Sequence, residues 1–279
     1  MLAISKADVI DTPFPHVVKE SILPQDLFDA LKSDFPSNEA FAEQDTRSGG
    51  VGSRAGAGTG FDIYRGDAAY DLLVAKSSAW QEFDAWINSA AFVEKFLDVF
   101  GDRIDDLGVK VAIDPARYDR SVIEPREVLR DRLTPVERLW SVIGKIINPK
   151  PRSDSQRPSL FSRLDIEQSI GGYAKPPHCD RRNRVCSLIV YFTDLGRMDG
   201  VGGELNIYQH TYQKSASEHE RHPKPDQVSV VQAIVPKENL GVFFPCSNNS
   251  YHGVNALRDQ SVKRNFLYIN ISTSDVDAW

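Results

Sequence analysis

The residues of this 279-residue chain best suited to chemistry lie in its second half. His178 and Asp180 stand two apart in Pro176-Pro177-His178-Cys179-Asp180. Alternate residues of an extended chain project to the same side, so these two can converge on one point while Cys179 faces away. The prolines before them narrow the backbone's choices and fix the approach. His-x-Asp by itself is a frequent pattern, and a hydrogen-bonded surface pair is its ordinary meaning. His252 follows about seventy residues later, in Asn248-Asn249-Ser250-Tyr251-His252-Gly253-Val254, just after the apolar stretch Gly241–Pro245. A lone histidine after a polar turn is commonly structural. In a jelly roll, however, strands distant in sequence are neighbours in space. Two histidines and one carboxylate take one face of an octahedron and leave three positions open, which suits non-haem Fe(II).

Arg264 comes twelve residues after His252, where a last strand would begin. On that strand Arg264, Phe266, Tyr268 and Asn270 share a face. If the face points inward, the guanidinium is buried, which is costly unless it is paired. Its fork matches a carboxylate, and the natural partner is the far carboxylate of a dicarboxylic co-substrate. Arg258 competes for this role, but it sits in the polar turn Arg258-Asp259-Gln260-Ser261-Val262-Lys263, where solvation is the simpler reading.

The elements that must position these groups change character midway. The first half reads helical. Pro24 fits a first helical position, with Leu27, Phe28, Leu31 and Phe35 following at helical spacing. Ser78–Phe100 places Trp80, Phe83, Trp86, Ile87, Phe92, Phe96, Leu97 and Phe100 mostly on one face, with Ser77 or Ser78 as N-cap and Gly101-Asp102 as the stop. Residues 126–147 also look amphipathic and end at a proline-rich segment. From about residue 160 the period becomes two. Strands are expected at Val185–Thr193, Glu204–Gln209, Val228–Val235, Gly241–Phe244 and Asn265–Ser272, separated by Gly-, Asn- and Pro-rich turns. The expectation is a mainly β chain with supporting helices, read as one catalytic domain over 1–279. Residues 1–160 would give mostly helical support and N-terminal strands, and 161–279 a jelly-roll core.

Composition narrows the class. Net charge is −6 without a long basic tract, so nothing drives bulk nucleic-acid binding. The longest apolar runs are about five residues, far from the roughly twenty of a membrane span. No signal peptide is visible at Met1–Asp8, and three cysteines (Cys179, Cys186, Cys246) fit a reducing cytoplasm.

These motifs, taken in order, carry a resemblance. Gly172-Tyr173-Ala174-Lys175-Pro176-Pro177-His178-Cys179-Asp180, then Arg184–Phe192, then Gly202-Gly203-Glu204-Leu205, then Phe243-Phe244-Pro245, Tyr251-His252-Gly253-Val254 and Arg264 resemble the Fe(II)/2-oxoglutarate dioxygenase superfamily. The prolyl-4-hydroxylase-like branch is the most similar, and Thr12–Val18 with Leu23-Pro24 is similar to its N-terminal start. The strong matches cover roughly residues 170–272. The resemblance implies a double-stranded β-helix (jelly-roll, cupin-like) fold, with iron bound by His178, Asp180 and His252. It further implies that Arg264 binds the far carboxylate of 2-oxoglutarate, that Tyr191 hydrogen-bonds the same carboxylate, and that Ser187 lines the same pocket. Fe(II), 2-oxoglutarate and O2 would be the co-reactants, with ascorbate as a further reductant. The twelve-residue step from His252 to Arg264 is slightly long for the family. A carboxylate at Asp180 argues for oxygenation, since family halogenases carry a small residue there. The implied reaction hydroxylates a C–H bond of a small molecule or protein side chain, releasing succinate and CO2.

Other features carry simpler readings. The glycine-rich stretch 48–60 lacks Gly-Lys-Ser/Thr, so it reads as a loop, with a substrate lid carrying Arg54 as the sharper alternative. Arg181, Arg182 and Arg184 read as a solvated basic turn, or else as arginines recognising an acidic substrate near the metal. His210, His219 and His222 read as an exposed loop rather than a second metal site. Cys179 and Cys186 read as packing residues exposed to oxidation during uncoupled turnover. Two other functions compete: a jelly-roll binding module without redox chemistry, and a protein hydroxylase acting as an oxygen-dependent regulator.

Overall fold

A computed structural model describes residues 1–47, 59–124, 157–212, 214, 219–274 and 276–279. The amphipathic stretch 126–147 and most of the glycine-rich stretch 48–60 lie outside the described residues. Ten strands form two antiparallel sheets: β1 (Val17–Lys19), β2 (Gly60–Tyr64), β3 (Leu160–Ser169), β4 (Lys175–His178), β5 (Arg184–Tyr191), β6 (Leu205–His210), β7 (Val228–Ile234), β8 (Gly241–Pro245), β9 (His252–Val254) and β10 (Arg264–Thr273). The larger sheet has the order β1-β8-β5-β10-β3-β2, and the smaller has β4-β9-β6-β7. The crossing order is that of a double-stranded β-helix, whose walls place residues distant in sequence face to face.

The larger sheet is covered on both sides. Every residue of β5 is buried, so its sequence shows no polar alternation. Among the described residues, five helices precede the main strands: α1 (Gln25–Ser33), α2 (Asn38–Arg47), α3 (Ala68–Lys76), α4 (Ser78–Ile87) and α5 (Ala90–Phe100). Rings from α5 grip the sheet through Phe243 of β8, with Phe92, Phe96 and Phe100 at 6.0, 6.0 and 5.3 Å between centroids. Phe28 of α1 meets Phe192 at 4.9 Å. No helix among the described residues is long and apolar enough to cross a membrane.

The sequence-based helix over 78–100 is two helices. Asn88, the C-cap of α4 at ψ 51°, turns the chain, and extended Ser89 precedes α5. The aromatic stripe runs across the break because both helices bury the same side. Ser77 caps α4 by accepting from the Trp80 amide, as its sequence position suggests. Pro24 precedes α1 rather than opening it.

The smaller sheet contains the short strands β4 and β9, paired with Lys175 opposite Val254 and His178 opposite His252. The register shifts between those two pairs. Pro176 and Pro177 fall inside the shift, and neither has an N–H to give the ladder. Gly253 lets the strands approach: a Cβ there would lie 2.7 Å from the Lys175 carbonyl oxygen. Gly202 is needed for a similar reason, with φ at +75° and a Cβ position 2.0 Å from the Ala256 carbonyl oxygen.

Candidate metal centre and co-substrate pocket

His178 and His252 face each other across β4 and β9, with ring centroids 4.4 Å apart. Asp180 follows β4 and turns to the same point. One ligand atom from each of His178, Asp180 and His252 lies within 4.8 Å of the others, and all three residues are buried. The tautomers are set from behind. His178 Nδ1 meets the Pro176 carbonyl at 3.0 Å and His252 Nδ1 meets the Ser250 carbonyl at 3.1 Å, so each Nδ1 donates and each Nε2 keeps its lone pair. His178 Nε2 is buried without a hydrogen-bond partner, an orphan that a metal ion would satisfy.

The larger sheet orients the carboxylate. Tyr268 of β10 donates its hydroxyl to Asp180 Oδ1 at 2.7 Å, and Ser187 of β5 donates to Oδ2 at 2.7 Å. Asn270 Nδ2 in turn donates to Ser187 Oγ at 2.7 Å, and the Cys246 thiol approaches Oδ2 at 3.6 Å. Ser187, expected beside Tyr191 in the pocket, therefore meets Asp180 instead. Register explains this, because Ser187 is opposite Asn270 while Tyr191 is opposite Phe266, four residues along β5.

Burial and charge leave these groups in the protonation states that bind metal. Burial lowers the His178 pKa well below its ordinary value, helped by Lys175 and His252, and burial also lowers that of His252. For Asp180, burial pushes the pKa up, but His252, His178, Lys175 and the Ser187 hydroxyl outweigh it and hold the acid far below the ordinary carboxylate range. Both imidazoles are neutral and the carboxylate is ionised near pH 7. Tyr268 is raised by burial and by Asp180, so it remains a phenol and a donor.

Arg264, 1% exposed, is the buried arginine of the last strand. Its Nη2 donates to the Tyr191 hydroxyl at 3.2 Å, and its guanidinium carbon sits 4.3 Å from the Phe266 ring centroid. Nε and Nη1 are buried with no hydrogen-bond partner. Buried guanidinium donors left without a protein partner call for an anionic ligand such as a carboxylate. Arg258 is exposed and donates to the Gly200 carbonyl, which leaves Arg264 as the arginine that faces inward. One cavity is shared by His252, Arg264, Tyr173, Lys175, Leu205 and Tyr268. It measures about 30 Å³, room for a water molecule, so a dicarboxylate enters only as lining side chains shift.

The remaining sequence candidates divide. Arg184 is not a solvated turn residue: it is 4% exposed, donates to Ser272 Oγ at 2.7 Å and pairs with Glu124 at 2.7 Å. His210 ends β6 rather than lying in a loop, and His222 stacks on His178 at 6.3 Å. Among the described residues, His178, Asp180 and His252 form the one metal-ready cluster. Sequence reasoning missed Tyr268 and Asn270 as partners of the carboxylate chain. Their position on the Arg264 face was the available signal.

Residues 167–271 match the family described as the 2OG-Fe(II) oxygenase superfamily. No curated protein matches the chain in sequence. Among solved structures, the chain is similar to one described under prolyl 4-hydroxylases from Phytophthora capsici, at 13% identity and TM-score 0.44, covering 94% of this chain and 60% of that one. A Pseudomonas putida prolyl-4-hydroxylase aligns at 12% identity and TM-score 0.46 over 92% of each chain. A 2OG-Fe(II) oxygenase family oxidoreductase from Burkholderia pseudomallei aligns at 12% and 0.37 over 89% of each. The segment 167–271 that matches the 2OG-Fe(II) oxygenase superfamily, whose members work with Fe(II), 2-oxoglutarate and O2, contains the whole His178-Asp180-His252 cluster and Arg264.

Proposed function

We propose that the protein is a hydroxylase in which His178, Asp180 and His252 hold Fe(II) and Arg264 anchors 2-oxoglutarate. The observation that carries this reading is the pair of buried, unpartnered Arg264 N–H groups on a residue that shares a cavity with His252. When bound, Fe(II) and 2-oxoglutarate supply the oxidising chemistry: the co-substrate is decarboxylated to succinate and CO2 while one atom of O2 enters a substrate C–H bond.

The chain's own residues bind, orient and exclude water. His178 and His252 present Nε2 lone pairs fixed by the carbonyls behind them. Asp180 supplies the anionic ligand, held at both oxygens by Tyr268 and Ser187, so it does not swing between binding modes. Arg264 takes the far carboxylate, and Tyr191 sets the plane of its guanidinium. Ile189, Leu205, Val254 and Phe266 supply the apolar part of a cavity wall that also carries Glu167 and Lys175. The substrate is a small molecule or a protein side chain, and the motif resemblance to the prolyl-4-hydroxylase-like branch keeps the second class in view.

The test is an anaerobic titration of metal-free protein with Fe(II) and 2-oxoglutarate, read by the visible charge-transfer band of the chelate. The band is expected in the wild type and absent in His178→Ala. Arg264→Gln should weaken 2-oxoglutarate binding roughly thirtyfold or more, the cost of losing one partner of a buried charge pair, while Fe(II) affinity holds. A wild-type protein that binds neither component would overturn the assignment and favour the binding-module reading.

A further inference from the structure

We infer that the cleft lined by Arg181, Arg182 and Arg221 binds a phosphate monoester, the anionic end of the primary substrate. This rests on the oxygenase reading above and adds a substrate class to it. The cleft is open to solvent, measures about 450 Å³ and is completed by Asn183, His219, Val276 and Asp277. That is the size of a small-molecule site.

Charge is the first argument. Three guanidiniums line the cleft, and Asp277 is the one carboxylate among its lining residues, in a chain whose net charge is −6. Arg182 spends part of its fork on Asp277, at 3.0 Å, and on the Trp279 carbonyl, at 3.1 Å. Arg181 reaches Glu124 at 3.4 Å. Arg221 donates Nε to the Cys179 carbonyl at 3.4 Å, and no carboxylate among the described residues pairs with it. A carboxylate ligand brings one charge and two oxygens. A phosphate monoester brings nearly two charges and three terminal oxygens, which suits several forks around one space.

Position is the second argument. Cys179, between two of the proposed iron ligands, is clamped to Arg221: its amide donates to the Arg221 carbonyl at 3.0 Å, and Arg221 Nε returns the bond. The next residue, His222, lies against His178 with ring planes 18° apart. Two arginines of the cleft thus adjoin the metal centre in sequence: Arg181 follows Asp180, and Arg221 precedes the ring that lies against His178.

Calorimetric titration of the full, metal-free chain with phenyl phosphate and with benzoate tests the cleft separately from the iron. Trp279, whose ring lies 5.7 Å from His219, gives a parallel fluorescence signal. Phenyl phosphate should bind at least tenfold tighter than benzoate. Arg221→Gln should weaken it roughly tenfold or more, the loss of a charged hydrogen bond, while Arg258→Gln should not. Arg221→Lys keeps the charge and guards against a folding defect. It should melt like wild type yet still bind more weakly, because an ammonium has no fork. Equal affinity in Arg221→Gln and wild type, or tighter benzoate, overturns the proposal.

On iron-loaded protein, phosphorylated compounds should stimulate 2-oxoglutarate consumption in wild type and not in Arg221→Gln. If phenyl phosphate binds through Arg221 but no iron chelate forms, the oxygenase reading has failed and the cleft is a phosphate site without this reaction. If the chelate forms and phenyl phosphate does not bind, the oxygenase reading stands and the cleft assignment falls.

Discussion

The two sheets are built on different terms. The larger has long strands buried on both faces, and β10 alone pairs along ten residues with β3. The smaller presents two of the three proposed iron ligands on strands of four and three residues, and its edge strand β7 leaves Val230 and Val231 about half exposed. The donors that aim Asp180 come from the larger sheet, as does Arg264. The flimsier wall thus carries the ligands, and the stiffer wall aims them. Stability and metal affinity should therefore respond to different substitutions, although the groups lie within a few ångströms of each other.

That separation can be broken in four ways. The largest effect is expected at His178→Ala, which should abolish Fe(II) binding yet lower the urea midpoint of the metal-free protein only modestly, because Nε2 has no protein partner and only the Nδ1 bond to the Pro176 carbonyl, worth about 1 kcal/mol, is lost. A large drop in midpoint would mean that the smaller sheet depends on this ring. Phe243→Ala is the mirror case. Losing the ring gripped by α5 should cost about 3–5 kcal/mol in denaturant unfolding, with metal affinity retained in the folded fraction. Tyr268→Phe removes one donor to Asp180 and should weaken Fe(II) binding roughly 10–100-fold, the usual range for an outer partner of a metal ligand. Unchanged affinity would show that Ser187 alone holds the carboxylate.

The smallest effect concerns pH. The folded-state pKa values of His178 and His252 are lowered, so below about 6.5 the unfolded chain takes up protons that the folded chain refuses. The metal-free protein should lose stability as pH falls from 7 toward 5, and His178→Ala should flatten that slope in pH-dependent urea titrations. A wild-type profile as flat as the variant's would count against burial of neutral imidazoles.

How much of this is legible in sequence follows the same divide. His178, Asp180, His252 and Arg264 can be read because each obeys a local rule: a period of two, a turn before a strand, a shared strand face. Tyr268 as a donor to Asp180 cannot be read that way, because it depends on β10 bringing the Tyr268 hydroxyl to a carboxylate that follows β4. The Ser187 bond to Asp180 is hidden for the same reason. Arg184 looked solvated because its partner, Glu124, is sixty residues away. Helix α3 and the strands β2, β3, β4 and β9 escape pattern reading too. The first has apolar residues on several sides, β3 is buried at nine of its ten positions, and β4 and β9 are too short to show a period.

The three cysteines have a bearing on which ion the site admits. All are free and buried, burial raises each thiol pKa, that of Cys179 to about 11, and Asp180 pushes in the same direction. Cys246 lies against a ligand carboxylate, yet as a thiol it is a hydrogen-bond donor rather than a sulfur ligand. The cluster itself holds only nitrogen and oxygen donors, a set that suits Fe(II) better than the thiophilic ion Cu(I).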